Sequence, residues 1–249
     1  MSEILKRHIR DFNLLPETFL PILTNCNALI AGSFPLSVYL EQKGMESFNV
    51  GDMDIFINME QGYTNLIRYL KNFGYKFEGP MRKDGYHNVK NIYLGLDFDP
   101  HKIQIIITKT SPKQSILNFD LTCCQAYIDS EFGKVIHLDE ENVVKMRTSY
   151  TSMDIVFQHS AEKRFHKYFK RGFTFHYRDI DITKRLGEQP SYEDVLKVHR
   201  DLDQLELDED SEDVKEKIEE DVKEKIEEDV EKIISEVVKK IFTKMIDVL

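Results

Sequence analysis

The chain has 249 residues, 41% of them hydrophobic, with a formal net charge of −10. That length buries a core in one large or two small domains without disulfide staples. The opening residues MSEILKRHIRDF are charged and argue against a signal peptide. No apolar run approaches the roughly 18 residues of a membrane span, so a cytoplasmic protein without membrane contact is expected.

The acidity is unevenly placed. Residues 201–249 hold 19 acidic and 8 basic side chains, which leaves the first 200 residues near neutrality. The low pI therefore does not exclude an anionic substrate on the body of the protein. Three cysteines, Cys26, Cys123 and Cys124, form neither a disulfide framework nor a CxxC zinc pattern, and they read as small buried residues in a reducing compartment.

In chain order, Ile4, Leu5 and Ile9 recur at helical spacing, and a second helix starts near Pro16-Glu17. Ala28-Leu29-Ile30-Ala31 is a short buried strand ending on Gly32-Ser33. A helix over 34–42 follows, with its stop at Gly44. Met53-Asp54-Ile55-Phe56-Ile57 alternates poorly but is strongly apolar and reads as a central strand. Residues 60–73 form an amphipathic helix with Leu66, Ile67, Leu70 and Phe73 on one face. Ile92–Phe98, Ile103–Thr108 and Leu121–Ile128 read as further strands, with a short helix, Ser111–Leu117, between the last two. Residues 139–148 and 160–171 read as helices.

Near-repeats of DVKEKIEE occupy 213–236. Their apolar stripe steps by four residues and drifts around the helix rather than making a straight heptad seam. A solvated charged helix and an oligomerisation or partner helix both fit this pattern. The predicted fold class is α+β, a mixed sheet with flanking helices, followed by a helical C-terminal part and a long charged C-terminal helix. The corresponding boundaries are 1–135, 136–205 and 206–249.

Chemistry concentrates where the strand ending at Ala31 turns into a helix through Gly32-Ser33, followed by Asp52-Met53-Asp54. Positions 52 and 54 of a strand share a face. Two adjacent carboxylates repel each other unless a cation sits between them. Hard oxygen ligands in this number suit Mg2+ or Mn2+, which bind a few carboxylates plus substrate phosphates. Gly32 permits close approach of a phosphate, the helix N-terminus offers N–H groups and a positive dipole end, and Ser33 adds a hydroxyl.

Gly-Ser followed by Asp-x-Asp on the next strand resembles the DNA polymerase β-like nucleotidyltransferase superfamily. The string Phe119-Asp120-Leu121-Thr122-Cys123-Cys124-Gln125 is similar to one found in viral and phage-type nucleotidyltransferase-like proteins, which would place the chain in a host cytoplasm. The resemblance covers roughly residues 26–130. It implies that Asp52 and Asp54 bind the metals holding the triphosphate, and that Gly32 and Ser33 hold its terminal phosphates. It also implies a third carboxylate on a neighbouring strand; the best match is Asp120, which would bind the catalytic metal and help activate the acceptor hydroxyl. Eighteen residues separate Ser33 from Asp52, more than the compact form of the motif shows, and an extended helix or an inserted turn around Glu46–Gly51 would accommodate them.

A competing pair, Asp97-Phe98-Asp99, is followed by Pro100-His101-Lys102 and reads as a hairpin turn. The densest basic stretch is 163–171, where Arg164, Lys167 and Arg171 share a helix face. Lys163, Lys167 and Tyr168 are the candidates for contact with the nucleotide, ATP or another NTP; a solvated basic face fits equally. No P-loop, HExxH or GxSxG pattern is present.

The expected function is metal-dependent transfer of a nucleoside monophosphate from an NTP to an acceptor hydroxyl on an RNA end, a protein or a small molecule. The alternative is a catalytically inactive relative that binds or scaffolds, self-associating through its C-terminal helix.

Overall fold

The computed structural model describes residues 1–58, 60–81, 89–98, 101–151, 159–177, 180–183 and 191–209. The chain divides into two compact units, Met1–Tyr192 and Glu193–Leu249.

The first unit is built on a seven-stranded mixed sheet in the order β3-β4-β5-β2-β1-β6-β7. Its strands are β1 Leu29–Ala31, β2 Asp52–Ile57, β3 Lys76–Met81, β4 Val89–Phe98, β5 His101–Thr108, β6 Ala126–Asp129 and β7 Lys134–His137. β2 and β5 run parallel and every other neighbouring pair is antiparallel. The α+β expectation holds.

β2 is central: Asp52-Met53-Asp54 alternates, and Ile55-Phe56-Ile57 is buried on both faces, which is why the strand ends as an apolar run. Met53, Ile55 and Ile57 join Ile103, Ile105 and Ile107 of β5 in the larger core. That core is closed by α1 Glu3–Asp11, α2 Pro16–Asn25, α3 Ser33–Gln42 and α4 Glu60–Asn72. Phe56, with Ala31, Ile92, Ile106 and Tyr127, belongs to a smaller cluster under Ile116 of α5, Pro112–Leu117. α3 shows little amphipathicity because every residue from Ser33 to Leu40 is buried, as expected for a helix enclosed on all sides.

Several local expectations are corrected. Leu121–Ile128 is not one strand: a 3-10 turn, Thr122–Cys124, precedes β6, and Asp120 lies before that turn and outside any strand. Residues 139–148 are not one helix either. A four-residue helix, α6 Glu140–Val143, is followed by Met146 at φ 53° and the strand β8 Arg147–Ser149. β8 lies parallel to β9 Thr174–Tyr177, which pairs antiparallel with β10 Ile180–Asp181. The region 136–205 thus carries a small sheet beside its helices. Between β8 and β9 runs α7, His159–Phe169.

The hairpin reading of residues 97–102 agrees with the antiparallel register Phe98↔His101; Asp99 lies outside the described residues. α8, Tyr192–Glu209, starts on the last residue of the first unit, and of the second unit the structure describes residues 193–209. The near-repeats at 213–236 lie outside the described residues. Among those described, no helix is long and apolar enough to cross a membrane. The three cysteines are free and buried.

Candidate functional site

β1 delivers the chain to Gly32, whose φ of 83° and ψ of −137° lie where only glycine is comfortable. The turn is pinned by the Gly32 N–H donating to the Ala126 carbonyl, 3.2 Å. A Cβ built on Gly32 would meet Oδ2 of Asp54 at 3.7 Å, so the turn backbone lies against that carboxylate. Ser33 opens α3, and its N–H and that of Phe34 have no acceptor within the helix. The next residue, Pro35, has no N–H. The helix therefore presents two N–H donors and the positive end of its dipole.

Asp54 pairs in register with Ala31 on one side and Gln104 on the other, and Asp52 with Lys102. Both carboxylates are half-buried, at the end of β2 nearest the Gly-Ser turn. They share the sheet face of Phe56 and Ile106, opposite the large core. Two hard oxygen donors side by side, next to a backbone with no side chain in the way, fit Mg2+ or Mn2+ completed by water and phosphate oxygens. Among the described residues, no three His, Cys, Asp or Glu side chains gather into a metal-binding group.

Asp120 stands in a different arrangement. Its carboxylate is nearly buried and ion-paired with Arg164 of α7. The segment carrying it is tied to the small sheet: the Thr151 N–H donates to the Asp120 carbonyl, 2.9 Å, and the Cys123 N–H to Thr148 Oγ1, 3.2 Å. Asp120 thus ties α7 to the segment that leads into β6.

The face of α7 that includes Arg164 continues one turn later into the Gly-Ser turn. Tyr168 Oη lies 2.8 Å from Ser33 Oγ, Lys167 Nζ donates to the same oxygen at 3.1 Å, and an Arg171 guanidinium nitrogen donates to it at 3.3 Å. Lysine and arginine only donate, so Ser33 Oγ accepts both bonds and its own hydrogen is left for Tyr168. The Tyr168 phenol is raised well above its ordinary pKa by burial and by the neighbouring Cys124 and Cys123 thiols, so it stays protonated. Two cations and a helix N-terminus thus converge on one hydroxyl, beside the turn whose backbone lies against Asp54; an anion is what such a cluster of donors could take.

Of the residues expected from sequence, Ser33, Lys167 and Tyr168 meet here, with Gly32 and Asp54 adjoining. Lys163 is exposed on another part of α7, and no hydrogen bond or ion pair places it at Ser33. Two contributors escaped the list of candidates. Arg171 was named only as sharing the basic face. Phe48, in the loop between α3 and β2, carries no local signal, yet its ring lies 3.7 Å from the Arg171 guanidinium carbon.

Residues 2–148 match the model of a family described as Gabija anti-defense 2 family protein. No curated protein matches the chain. Among solved structures, a CCA-adding enzyme in complex with CTP aligns at TM-score 0.51 and 16% identity, covering 71% of this chain and 43% of that one. The Thermotoga maritima CCA-adding enzyme complexed with tRNA aligns at TM-score 0.52 and 16% identity, over 71% and 42% of the two chains. At that identity the likeness shows the fold, which is nucleotidyltransferase-like, and this chain spans less than half the length of those proteins.

Proposed function

As the chain belongs to the Gabija anti-defense 2 family, we propose that it counters that defence as a metal-dependent nucleotidyltransferase. The observation that carries this reading is the convergence of Lys167, Arg171 and Tyr168 on Ser33 at the N-terminus of α3, with Asp54 against Gly32. A triphosphate needs both halves: donors for its terminal phosphates and a cation site for the reacting one.

Asp52 and Asp54 would hold Mg2+ or Mn2+. Bound there, divalent ions supply charge neutralisation of the phosphate oxygens. The protein's own part is positioning. The Ser33 and Phe34 N–H groups, Lys167 and Arg171 would hold the β- and γ-phosphates, with Ser33 Oγ keeping the two cations together, which leaves the α-phosphate beside the carboxylates. The acceptor oxygen forms a bond to the α-phosphorus, the bond to the β-phosphate oxygen breaks, pyrophosphate leaves, and the hydroxyl proton passes to solvent. Holding both partners in line removes much of the entropic barrier. The solved relatives in complex with CTP, ATP and tRNA support a nucleotide donor and admit RNA as one acceptor, beside a protein or a small molecule. The ion pair of Asp120 with Arg164 supports a role for Asp120 in positioning α7, in place of the catalytic-metal role that the resemblance implies.

That same engagement, with Gln104 rather than a carboxylate beside Asp54 on β5, favours the second reading, a silent relative that binds nucleotide without transferring it. Calorimetric titration of Mn2+ and of each NTP tests the site shared by both readings. Asp54→Ala is expected to abolish Mn2+ binding and weaken NTP binding; unchanged binding of both would sink it.

A further inference from the structure

The spacer between the Gly-Ser turn and the carboxylates folds back onto the anion site. α3 stops at Gln42, Gly44 turns the chain at φ 73°, and the Met45 N–H returns to the Leu40 carbonyl at 3.0 Å. The loop then runs along α3. There the buried Ser37 hydroxyl, one turn from Ser33, donates to the Phe48 carbonyl at 2.7 Å. At its far end the Lys102 N–H holds the Gly51 carbonyl at 2.8 Å. Pinned at both places, the loop sets the Phe48 ring against the guanidinium of Arg171, 3.7 Å from ring centroid to guanidinium carbon. The Tyr168 ring is the second aromatic near that guanidinium, at 5.1 Å.

Arg171 follows the last turn of α7, where the backbone no longer fixes the direction of a long side chain. An arginine in that position loses several rotamers when it binds an anion. A planar guanidinium laid on an aromatic face has already lost them, and the face leaves its edge N–H groups free to donate. We propose that Phe48 is a positioning residue that pre-orders Arg171 for the terminal phosphates of the substrate. The long spacer is then part of the binding machinery. This rests on the reading of Ser33, Lys167 and Arg171 as a phosphate site.

The test is calorimetric binding of inorganic tripolyphosphate at fixed low salt, with thermal melts of every variant alongside. Phe48→Ala is expected to weaken binding about tenfold, within the range of a partly desolvated cation–π contact. Phe48→Leu keeps the apolar packing and removes the π face, and is expected to lose as much. Phe48→Tyr keeps the face and is expected to restore binding. In an Arg171→Ala background Phe48→Ala should produce no further loss, which a merely structural role would not predict. Binding by Phe48→Leu at the wild-type level overturns the proposal, as does a Phe48→Ala loss that persists undiminished without Arg171. Wild-type protein that binds no tripolyphosphate overturns the phosphate-site reading as well. Binding lost in Lys167→Ala but kept in Phe48→Ala overturns the role of Phe48 alone.

Discussion

Gly32→Ala isolates the conformation on which the anion site depends. At φ 83° and ψ −137° an L-residue is sterically disfavoured, at a cost of about 1–3 kcal/mol. Space is not the obstacle, because the added Cβ would meet Asp54 Oδ2 at 3.7 Å, an ordinary contact. The loss should therefore be backbone strain. In a unit of this size it would lower Tm by about 2–4 °C for each kcal/mol. The chain can relieve the strain only by rotating the peptide that enters α3, which turns the Ser33 N–H away from the anion. Urea melts should show a reduced midpoint at unchanged slope, and tripolyphosphate binding should weaken in parallel. Gly74→Ala is the comparison, at φ 93° in the turn between α4 and β3. It should cost about 1–2 kcal/mol and leave anion binding alone. A Gly32→Ala protein as stable as wild type that binds tripolyphosphate equally well would refute the reasoning.

Three further outcomes follow from the geometry. A Cβ at Gly62 would sit 2.7 Å from the Cys26 carbonyl oxygen, so Gly62→Ala should destabilise by about 1–3 kcal/mol in urea melts. Burial pushes the His137 pKa down. Its Nδ1 accepts from the Asp139 N–H at 3.0 Å while Nε2 donates to the Cys123 carbonyl at 3.1 Å, an arrangement only the neutral ring satisfies. The unfolded chain therefore takes up this proton first. Stability should be full above the ordinary histidine pKa and fall as pH drops below it, by at most about 1.4 kcal/mol per pH unit for one proton; His137→Gln should flatten that part of the profile. Asp120→Ala strips Arg164 of its carboxylate in a half-buried setting and should cost about 1–3 kcal/mol, less than for a fully buried pair. It should leave Mn2+ affinity intact, whereas a loss as large as that of Asp54→Ala would make Asp120 a ligand.

Much of this was legible because burial leaves a pattern. The later halves of β2 and β5 are buried on both faces and read as apolar runs, and α1, α2 and α4 show their helical spacing or their N-terminal proline. The Gly-Ser turn was legible through its chemistry. β3 was missed because Gly79-Pro80 signals a break; an edge strand tolerates a proline that a central one would not. Leu121–Ile128 has the composition of a strand throughout, and only the bonds of the Asp120 and Cys123 backbone to Thr151 and Thr148 explain why its first half turns instead. Phe48 is an ordinary loop aromatic until Arg171, more than a hundred residues later, is laid upon it. The pairing of Asp120 with Arg164 is equally non-local, and a strand-like context cannot reveal it.

Transfer itself is the decisive measurement. Purified protein is incubated with each α-32P-labelled NTP, Mg2+ or Mn2+, and a mixed pool of RNA and protein, and the products are resolved on denaturing gels. Metal-dependent label on one acceptor class, with pyrophosphate released and both lost in Asp54→Ala, is the predicted result. No label on any acceptor under either metal, from protein that binds NTP and Mn2+ normally, would contradict the transferase reading and leave a nucleotide-binding relative.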